Sequence, residues 1–311
     1  MTAILVATTG GHLTQLVRLA ARLDVAKGEQ IWVTHRAAQS ESMLSGRNVE
    51  FVPFIAERDV VGVARSLRHV HRLIEEHEPT AIVSTGSAIA VGYLGYAALR
   101  GVPSYYIESA ARPDGPSRTG RILGPWPRVQ TFTQYPGRAG DGWRHVGSVF
   151  DDYAPAEGGG ASRPLRVTVT VGSSLPFDRL LRQLVAIAPS DTEFVWQVGE
   201  SDPDGLPGIV HDFMPAAELD KHMQESDVVV AHAGCGSAWA ALEAGKAPVL
   251  VPRLAAYGEV VDDHQVQIAD FLQDRDLCIH RSVSDLQWDD VERAATMAVT
   301  TSGTPTPINL T

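Results

Sequence analysis

Short loops rich in glycine and hydroxyl residues follow apolar segments in both halves of this 311-residue chain. The first half has TTGGH (Thr8–His12) and STGSA (Ser84–Ala88), and the second has TVGSS (Thr170–Ser174) and AHAGCGS (Ala231–Ser237). Glycine lets a backbone approach a ligand closely, and a helix start presents N–H groups and the positive end of a dipole. Together these loops indicate binding of a diphosphate group.

Two side chains are candidates for general-base chemistry, the removal of a proton from an acceptor hydroxyl. Glu108 ends an apolar segment, where its carboxylate can act as a base or pair structurally with Arg112. His12 stands at a predicted helix start, where it can act as a base, contact a diphosphate or simply cap the helix. A carboxylate needs no particular tautomer, so Glu108 is slightly favoured over His12.

A further candidate lies in DDHQVQIA, Asp262 to Ala269, at the predicted start of a late helix. Acidic residues stabilise a helix N-terminus, which explains its two aspartates. Gln265 has no such explanation, and its amide offers both a donor and an acceptor, which suits sugar hydroxyls. A possible metal motif, Asp202 to Asp204, contains Pro203 and is interpreted as a turn. The sequence predicts no metal site.

Several functional classes are disfavoured by motif and composition. No segment fits G-x-G-x-x-G or a P-loop, which argues against nicotinamide and ATP chemistry and predicts no cofactor. The net charge of −11 argues against nucleic acid as a partner. The two cysteines are isolated, and no signal peptide or membrane span is predicted, so a cytoplasmic protein is expected.

The pattern of elements predicts an α/β fold. Short apolar strands alternate with helical periodicity, which is typical of parallel sheets covered on both faces. The segment from Asp151 to Pro164 is rich in glycine and proline and predicts a linker between two domains, residues 1–150 and 165–311. The first 150 residues carry 16 basic and 12 acidic residues, and the rest carry 10 and 25. The halves are therefore expected to bind different partners.

These loops resemble a known glycosyltransferase group. The second half resembles the catalytic subunit of the two-part GlcNAc transferase that extends dolichol-pyrophosphate-GlcNAc, through VTVGSSLPFDRLL, WQVGE, HAGCGS and DDHQVQIA. The first half resembles its membrane-recruiting partner, through TGGHLTQL, VSTGSAIAVGYLGYAALRGVPSYYIESAAR and SRTGRILGPWPRVQTF. Both halves are similar to the peptidoglycan lipid-intermediate GlcNAc transferase and to bacterial exopolysaccharide glycosyltransferases. The resemblance implies two tandem Rossmann-like, doubly wound domains facing across a cleft, the GT-B fold.

The resemblance also implies a reaction: inverting, metal-independent transfer of GlcNAc, glucose or glucuronate from a UDP-sugar to a polyprenyl-diphosphate-linked acceptor. Its place would be exopolysaccharide or cell-envelope glycan synthesis. The first domain would bind the acceptor and face the membrane, and the second would bind the nucleotide-sugar. The residues implied for the acceptor or its diphosphate are Gly10, Gly11 and Ser87. Those implied for the donor are Gly172, Ser173, Ser174, His232, Gly234, Gly236, Ser237 and Gln265. Relatives usually have a ribose-binding Glu at the position of Ala240, and Glu243, one turn later, is the candidate replacement.

A lipid-linked acceptor requires a membrane surface. Basic and apolar residues combine between Arg112 and Arg128, which suits an anionic leaflet. The membrane candidates are Arg112, Arg118, Arg121, Trp126 and Arg128, and they predict a peripheral position on the inner face of the plasma membrane. Three alternatives stay open at this point: a nucleotide-sugar epimerase on the same fold, a non-catalytic recruiting partner, and a soluble natural-product glycosyltransferase.

Overall fold

The computed structural model describes residues 2–23, 27–56, 58–159, 164–172, 175–260, 263–301 and 307–310. The chain forms two compact units, one of Met1–Asp151 with Pro305–Thr311 and the other of Asp152–Thr304. The end of the chain belongs to the first unit because Ile308 N donates to Arg22 O at 2.8 Å and Ile308 bridges Leu23. The sequence predicts one domain of residues 165–311, whereas Pro305–Thr311 belong to the first unit.

The first unit is a seven-stranded parallel sheet with helices. Its strands are β1 (Ala3–Val6), β2 (Gln30–Thr34), β3 (Asn48–Phe51), β4 (Ala81–Ser84), β5 (Ser104–Ile107), β6 (Val129–Thr133) and β7 (Trp143–His145). Its helices are α1 (Gly11–Ala20), α2 (Ala38–Met43), α3 (Val60–His77), α4 (Ala88–Leu99) and α5 (Arg118–Leu123). The strand order is β3-β2-β1-β4-β5-β6-β7.

The second unit contains a six-stranded parallel sheet and a separate two-stranded one. The strands are β8 (Tyr153–Glu157), β9 (Arg166–Thr170), β10 (Glu193–Gln197), β11 (Ile209–His211), β12 (Val228–His232), β13 (Val249–Val251), β14 (Ile279–His280) and β15 (Met297–Thr301). The helices are α6 (Asp178–Ile187), α7 (Ala216–Glu225), α8 (Cys235–Glu243), α9 (His264–Gln273) and α10 (Trp288–Ala295). The larger sheet has the order β11-β10-β9-β12-β13-β14.

Two predictions at the ends of the second unit are wrong. The expected linker contains β8, which pairs antiparallel with β15. Helical periodicity in the sequence predicts a helix near Asp289 to Val299, but α10 ends at Ala295, and Met297 to Val299 belong to β15. Both errors have one cause: the two strands stabilise each other by hydrogen bonds across a long stretch of chain, which local composition does not reveal.

Both large sheets share one topology, and it determines where a ligand can bind. The strand order reverses between β1 and β4 in the first unit and between β9 and β12 in the second. At such a switch point the neighbouring loops leave in opposite directions and open a crevice at the carboxyl ends of the strands. The strands β1, β2, β9 and β12 are almost fully buried, as expected for parallel strands covered on both faces. The predicted α/β fold with two Rossmann-like units is confirmed.

Candidate functional site

The four glycine-containing loops of the sequence lie at the two switch points. In the first unit, Thr8–His12 follows β1 and Ser84–Ala88 follows β4, and Val6 pairs with Ser84. In the second unit, Thr170–Ser174 follows β9 and Ala231–Ser237 follows β12, and Thr170 pairs with Ala231. Ser173 and Ser174 lie outside the described residues, as does Asp262. The topology therefore brings the loops together in pairs, one pair in each unit.

Three of the helices that begin at these loops have no side-chain cap. The N-cap residues of α1, α4 and α8 are Gly10, Ser87 and Gly234, and none of their side chains accepts a hydrogen bond from the helix. Asp59 caps α3 by accepting from Gly62 N at 2.7 Å. Helices α6, α7 and α9 also have no side-chain cap, so this feature is not confined to the switch points. The first N–H groups of a helix need an acceptor. The starts of α1, α4 and α8 thus present backbone donors that an anionic ligand can bind.

Backbone conformation at these loops suits close approach by a ligand. Gly10 has φ of +90°, and a Cβ there would meet nothing within 4 Å. Its N–H donates to Gln39 Oε1 at 2.6 Å. Ser87 has φ of +74°, a left-handed conformation that costs an L-residue strain energy. Gly11 begins α1 and is exposed.

His12 is half-buried and is fixed by the neighbouring loop. Its Nδ1 lies 2.8 Å from Thr85 O, and Thr85 Oγ1 donates to His12 O at 2.7 Å. Because a carbonyl only accepts, Nδ1 carries a proton, and a neutral ring in this orientation has its lone pair on Nε2. A Cβ on Gly86 would lie 2.9 Å from His12 Cε1, so this glycine makes room for the ring. The imidazole has the tautomer that a general base requires.

Glu108 follows β5 directly, and its carboxylate is buried and accepts several hydrogen bonds. Its side chain is 3% exposed, and Oε1 accepts from Tyr106 OH at 2.8 Å and from Ser109 N at 3.1 Å. Oε2 accepts from Ser117 N at 2.8 Å, which ties the start of α5 to the end of β5. Burial and the nearby Glu108 raise the pKa of Tyr106 well above its usual value, so the phenol donates. This geometry favours a structural role for Glu108.

In the second unit, His232 is enclosed by two glycines. A Cβ on Gly172, which has φ of +80°, would lie 2.9 Å from His232 Cε1, and a Cβ on Gly234 would lie 2.3 Å from Nε2. His232 Nδ1 lies 3.4 Å from Thr170 O. Burial and the charge of Arg253 lower the pKa of His232 to about 4. The ring is neutral at physiological pH and occupies the space beside Gly172 and Gly234.

Arg253, a residue that sequence analysis did not single out, contacts both sides of the Gly172 loop. It is 4% exposed, and its Nη2 donates to Val171 O at 2.7 Å and to Leu175 O. These two carbonyls flank the Gly172 loop. Burial lowers the pKa of Arg253, although a guanidinium stays charged at neutral pH. An arginine two residues after a buried strand, in the segment Val249–Arg253, is the signal that could have revealed it.

Gln265 lies in the first turn of α9 and is buried. Its Oε1 accepts from Arg253 N at 3.0 Å, and this contact fixes the orientation of the amide. The oxygen is therefore hydrogen-bonded to the backbone, and the NH₂ group is the part of the side chain that can donate to a ligand.

Gly236 and Ser237 lie in the first turn of α8, where a Cβ on Gly236 would meet nothing within 4 Å.

The structure does not bring Glu243 to the loop edge. It is the last residue of α8, about 12 Å along the axis from Cys235 at a rise of 1.5 Å per residue. Its Oε1 accepts from Tyr153 OH and, at 3.2 Å, from Trp239 Nε1. The expectation that Glu243 replaces a ribose-binding glutamate at Ala240 is disfavoured, because one helical turn carries it toward β8 and β15.

The membrane candidates divide into two groups. Arg118, Arg121 and Arg128 are exposed, as is Ile122 at 42%. Arg112 and Trp126 are half-buried. A Cβ on Gly95 would lie 2.9 Å from Trp126 Cζ3, so the indole packs on α4. In the described part of the chain, no helix is long and apolar enough to cross a bilayer.

Comparisons with known proteins bear on this arrangement. Residues 166–288 match the model of the glycosyltransferase family 28 C-terminal domain. MurG of Acinetobacter baumannii is similar in structure over 94% of this chain and 88% of its own, with a TM-score of 0.59 and 17% identity. The chain has the GT-B fold. The family match over the second unit supports a glycosyltransferase of this type.

Two further solved structures have the same fold. The glycosyltransferase SnogD from Streptomyces nogalater matches 95% of this chain and 90% of its own, with a TM-score of 0.56 and 17% identity. UDP-GlcNAc 2-epimerase from Neisseria meningitidis, bound to UDP-GlcNAc, matches 95% and 97%, with a TM-score of 0.55 and 10% identity. The curated proteins give no match. Transferases and an epimerase thus share this architecture, and the fold alone does not separate them.

Proposed function

We propose that this protein transfers a sugar from a UDP-sugar to a polyprenyl-diphosphate-linked acceptor, with inversion and without a catalytic metal. The observation that carries the proposal is the match of residues 166–288 to the family 28 C-terminal domain. The glycine loops and helix starts at both switch points support it. Such edges can neutralise two diphosphates, one on the donor and one on the acceptor. Exopolysaccharide or cell-envelope glycan synthesis is the proposed setting, with GlcNAc, glucose or glucuronate transferred.

The second unit binds the donor in this proposal. Backbone N–H groups at the start of α8 stabilise the diphosphate of the leaving UDP, with the Gly172 loop beside them. Arg253 sets the shape of that loop through the carbonyls of Val171 and Leu175. Gln265 donates its NH₂ group to a sugar hydroxyl. Preorganised donors of this kind stabilise charge as it develops on the leaving group.

The first unit binds the acceptor, and His12 is the base. Nε2 of His12 removes the proton from the acceptor hydroxyl as its oxygen attacks the anomeric carbon of the donor. The bond from that carbon to the UDP oxygen breaks, and UDP leaves with the electron pair. The hydrogen bond from Nδ1–H to Thr85 O maintains the tautomer throughout. Inversion follows from a single displacement.

A binding measurement tests the donor proposal. UDP at 100 times its dissociation constant stabilises a protein by roughly 2.7 kcal/mol, so a thermal-shift screen of UDP-, GDP- and dTDP-sugars should single out UDP. The shift is expected to persist in EDTA. If EDTA abolishes it and Mg²⁺ or Mn²⁺ restores it, the metal-free mechanism is wrong.

The membrane part of the proposal depends on three exposed arginines of the first unit. Replacing Arg118, Arg121 and Arg128 with Ser should weaken binding to anionic liposomes, because each basic residue near such a surface contributes on the order of 1 kcal/mol. Transfer to a long-chain acceptor should slow, and transfer to a short soluble analogue should not. Arg166, Arg182 and Arg293, exposed in the second unit, provide a triple-Ser control of equal charge.

If the wild-type protein does not bind anionic liposomes at low salt, the peripheral-membrane proposal fails and a soluble acceptor becomes the proposed substrate.

The similarity to UDP-GlcNAc 2-epimerase favours a second candidate function, that of an epimerase. Incubation of the protein with UDP-GlcNAc and no acceptor separates the two. An epimerised nucleotide-sugar in that reaction would identify an epimerase. UDP-GlcNAc recovered unchanged, followed by turnover only when acceptor is added, supports transfer.

A further inference from the structure

Away from the glycine loops, the second unit places two imidazoles and a carboxylate together. His211 is the last residue of the edge strand β11, and Glu218 and His222 lie on α7. Nitrogen and oxygen atoms from the three side chains all lie within 4.8 Å of one another. The ring centroids of His211 and His222 are 6.4 Å apart. Glu218 and His222, four residues apart, occupy the same face of the helix.

The backbone carbonyl groups of both histidines accept hydrogen bonds, whereas their imidazole nitrogens can still bind a metal. His211 O accepts from Val198 N at 2.9 Å, and His222 O accepts from Thr168 Oγ1 at 3.1 Å. Within the described ranges, no hydrogen bond or ion pair joins the side chains of His211, Glu218 and His222 to another residue. The two imidazoles are half-buried and the carboxylate is exposed. The backbone thus fixes two ligands, and the third can rotate toward them.

We propose that His211, Glu218 and His222 form a zinc site that links β11 to α7. Two imidazoles and one carboxylate form a donor set that zinc accepts, with Zn–N of about 2.0–2.1 Å, Zn–O of about 2.0–2.2 Å and water in the fourth position. Ligand atoms around a tetrahedral zinc with these bond lengths lie about 3.3 Å apart. The three side chains, whose atoms are now within 4.8 Å of one another, must therefore move closer, through rotation of the exposed Glu218 and of the two half-buried rings. The excess of acidic residues after residue 150 favours cation binding.

The position of the cluster suggests what the metal does. Asp212 to Pro215, between the first ligand and α7, form the loop at the carboxyl end of β11. Phe213 in this loop is 67% exposed, whereas Met214 is buried and its N–H donates to Gln197 Oε1 at 2.9 Å. A metal that joins the two ends of the segment restricts the loop and stabilises the edge of the sheet. With three protein ligands the site keeps one coordination position for water.

Direct metal binding tests this inference on the full-length protein. After treatment with EDTA and removal of the chelator, titration with Zn²⁺ should show one tight site. At 100 times the dissociation constant, zinc should raise Tm by roughly 5–10 °C. X-ray absorption of the zinc-loaded protein should show two imidazole ligands. Co²⁺ in place of zinc should give the intense visible bands of a tetrahedral site.

Variants separate this site from other surface histidines. Glu218→Gln and His222→Gln should each weaken zinc binding by at least about 100-fold, since even outer-shell changes cost 10–100-fold. Glu225→Gln, on the same helix, and His145→Gln, exposed on β7, are the controls and should bind zinc like the wild type. No tight site in the wild type, or equal affinity in Glu218→Gln and Glu225→Gln, would overturn the inference. Glu218→Gln is exposed and is expected to fold.

Discussion

At each of the two switch points a histidine packs against a glycine of the neighbouring loop, yet the two histidines differ in burial. His12 follows β1 and touches Gly86 of the β4 loop, and His232 ends β12 and touches Gly172 of the β9 loop. In each case a Cβ on the glycine would lie 2.9 Å from the imidazole Cε1. His12 is half-buried at a helix start, whereas His232 is buried and its pKa is lowered to about 4.

The difference shows that burial, and not residue type, sets the environment of each imidazole. An imidazole enclosed by two glycines and facing the charge of Arg253 stays neutral and shapes the loop above it. An imidazole at a half-exposed helix start, with its tautomer fixed by Thr85 O, can exchange a proton with a bound hydroxyl. The following changes test this division between an edge with a reactive histidine and an edge with a supporting one.

The largest effect is expected at His12. His12→Asn keeps a nitrogen that can donate to Thr85 O but removes the base, so kcat should fall by roughly 10²–10⁴-fold with the fold intact. Glu108→Gln should lower kcat by less than about tenfold and should lower Tm, because a buried acceptor is lost. Steady-state kinetics and circular dichroism on both variants measure this. A larger kcat loss in Glu108→Gln, with Tm unchanged, would restore Glu108 as the base.

At the second edge, Gln265 is expected to act on the sugar. Gln265→Glu keeps an oxygen that accepts from Arg253 N and removes the NH₂ donor, so it separates sugar binding from loop support. Transfer should fall by roughly 5- to 150-fold, corresponding to the loss of about 1–3 kcal/mol, and UDP affinity should stay nearly constant. Calorimetry with UDP and with the UDP-sugar makes the comparison. Equal losses for both ligands would contradict a contact with the sugar.

His232 should make stability depend on pH. Its folded pKa of about 4 lies below the ordinary value of 6.5, so the unfolded chain takes up a proton that the folded one excludes. Stability is therefore lost as the pH falls from 6.5 toward 4. Between pH 7.5 and pH 5 the loss should be about 2 kcal/mol. Urea unfolding of the wild type and of His232→Asn, which does not titrate, measures it. Identical pH dependence in the two proteins would argue against a buried neutral ring.

The smallest effect is expected at Gly236. A Cβ there meets nothing within 4 Å, so Gly236→Ala should stabilise α8 by about 0.5–1 kcal/mol. The same methyl group would occupy space beside the helix start, and UDP affinity should fall about tenfold, which is about 1.4 kcal/mol. Gly137→Ala, also in open space, is the control in the first unit. Undiminished UDP binding by Gly236→Ala would place the diphosphate elsewhere.

The sequence by itself determined the fold class and the position of the loops. Apolar strands alternating with amphipathic helices specify parallel sheets, because the period of burial is local and can be read from neighbouring residues. The glycine loops, His12 and Gln265 were found for the same reason. Their types and spacing are sequence properties, and the strand order places them at the switch points. The pairing of β8 with β15 was not predictable locally, because each strand depends on a distant partner.

Tertiary structure alone decided which contacts each candidate side chain makes. Glu108 has the same sequence context whether it points into solvent or accepts from Tyr106 and Ser117, and folding of the loop before α5 settles this. Glu243 is carried from the loop edge by one helical turn, and Arg253 acquires its role only because β13 lies beside β12. Hydrogen bonding and desolvation depend on neighbours that are remote in sequence. The chemistry of these groups is therefore set by packing and not by motif.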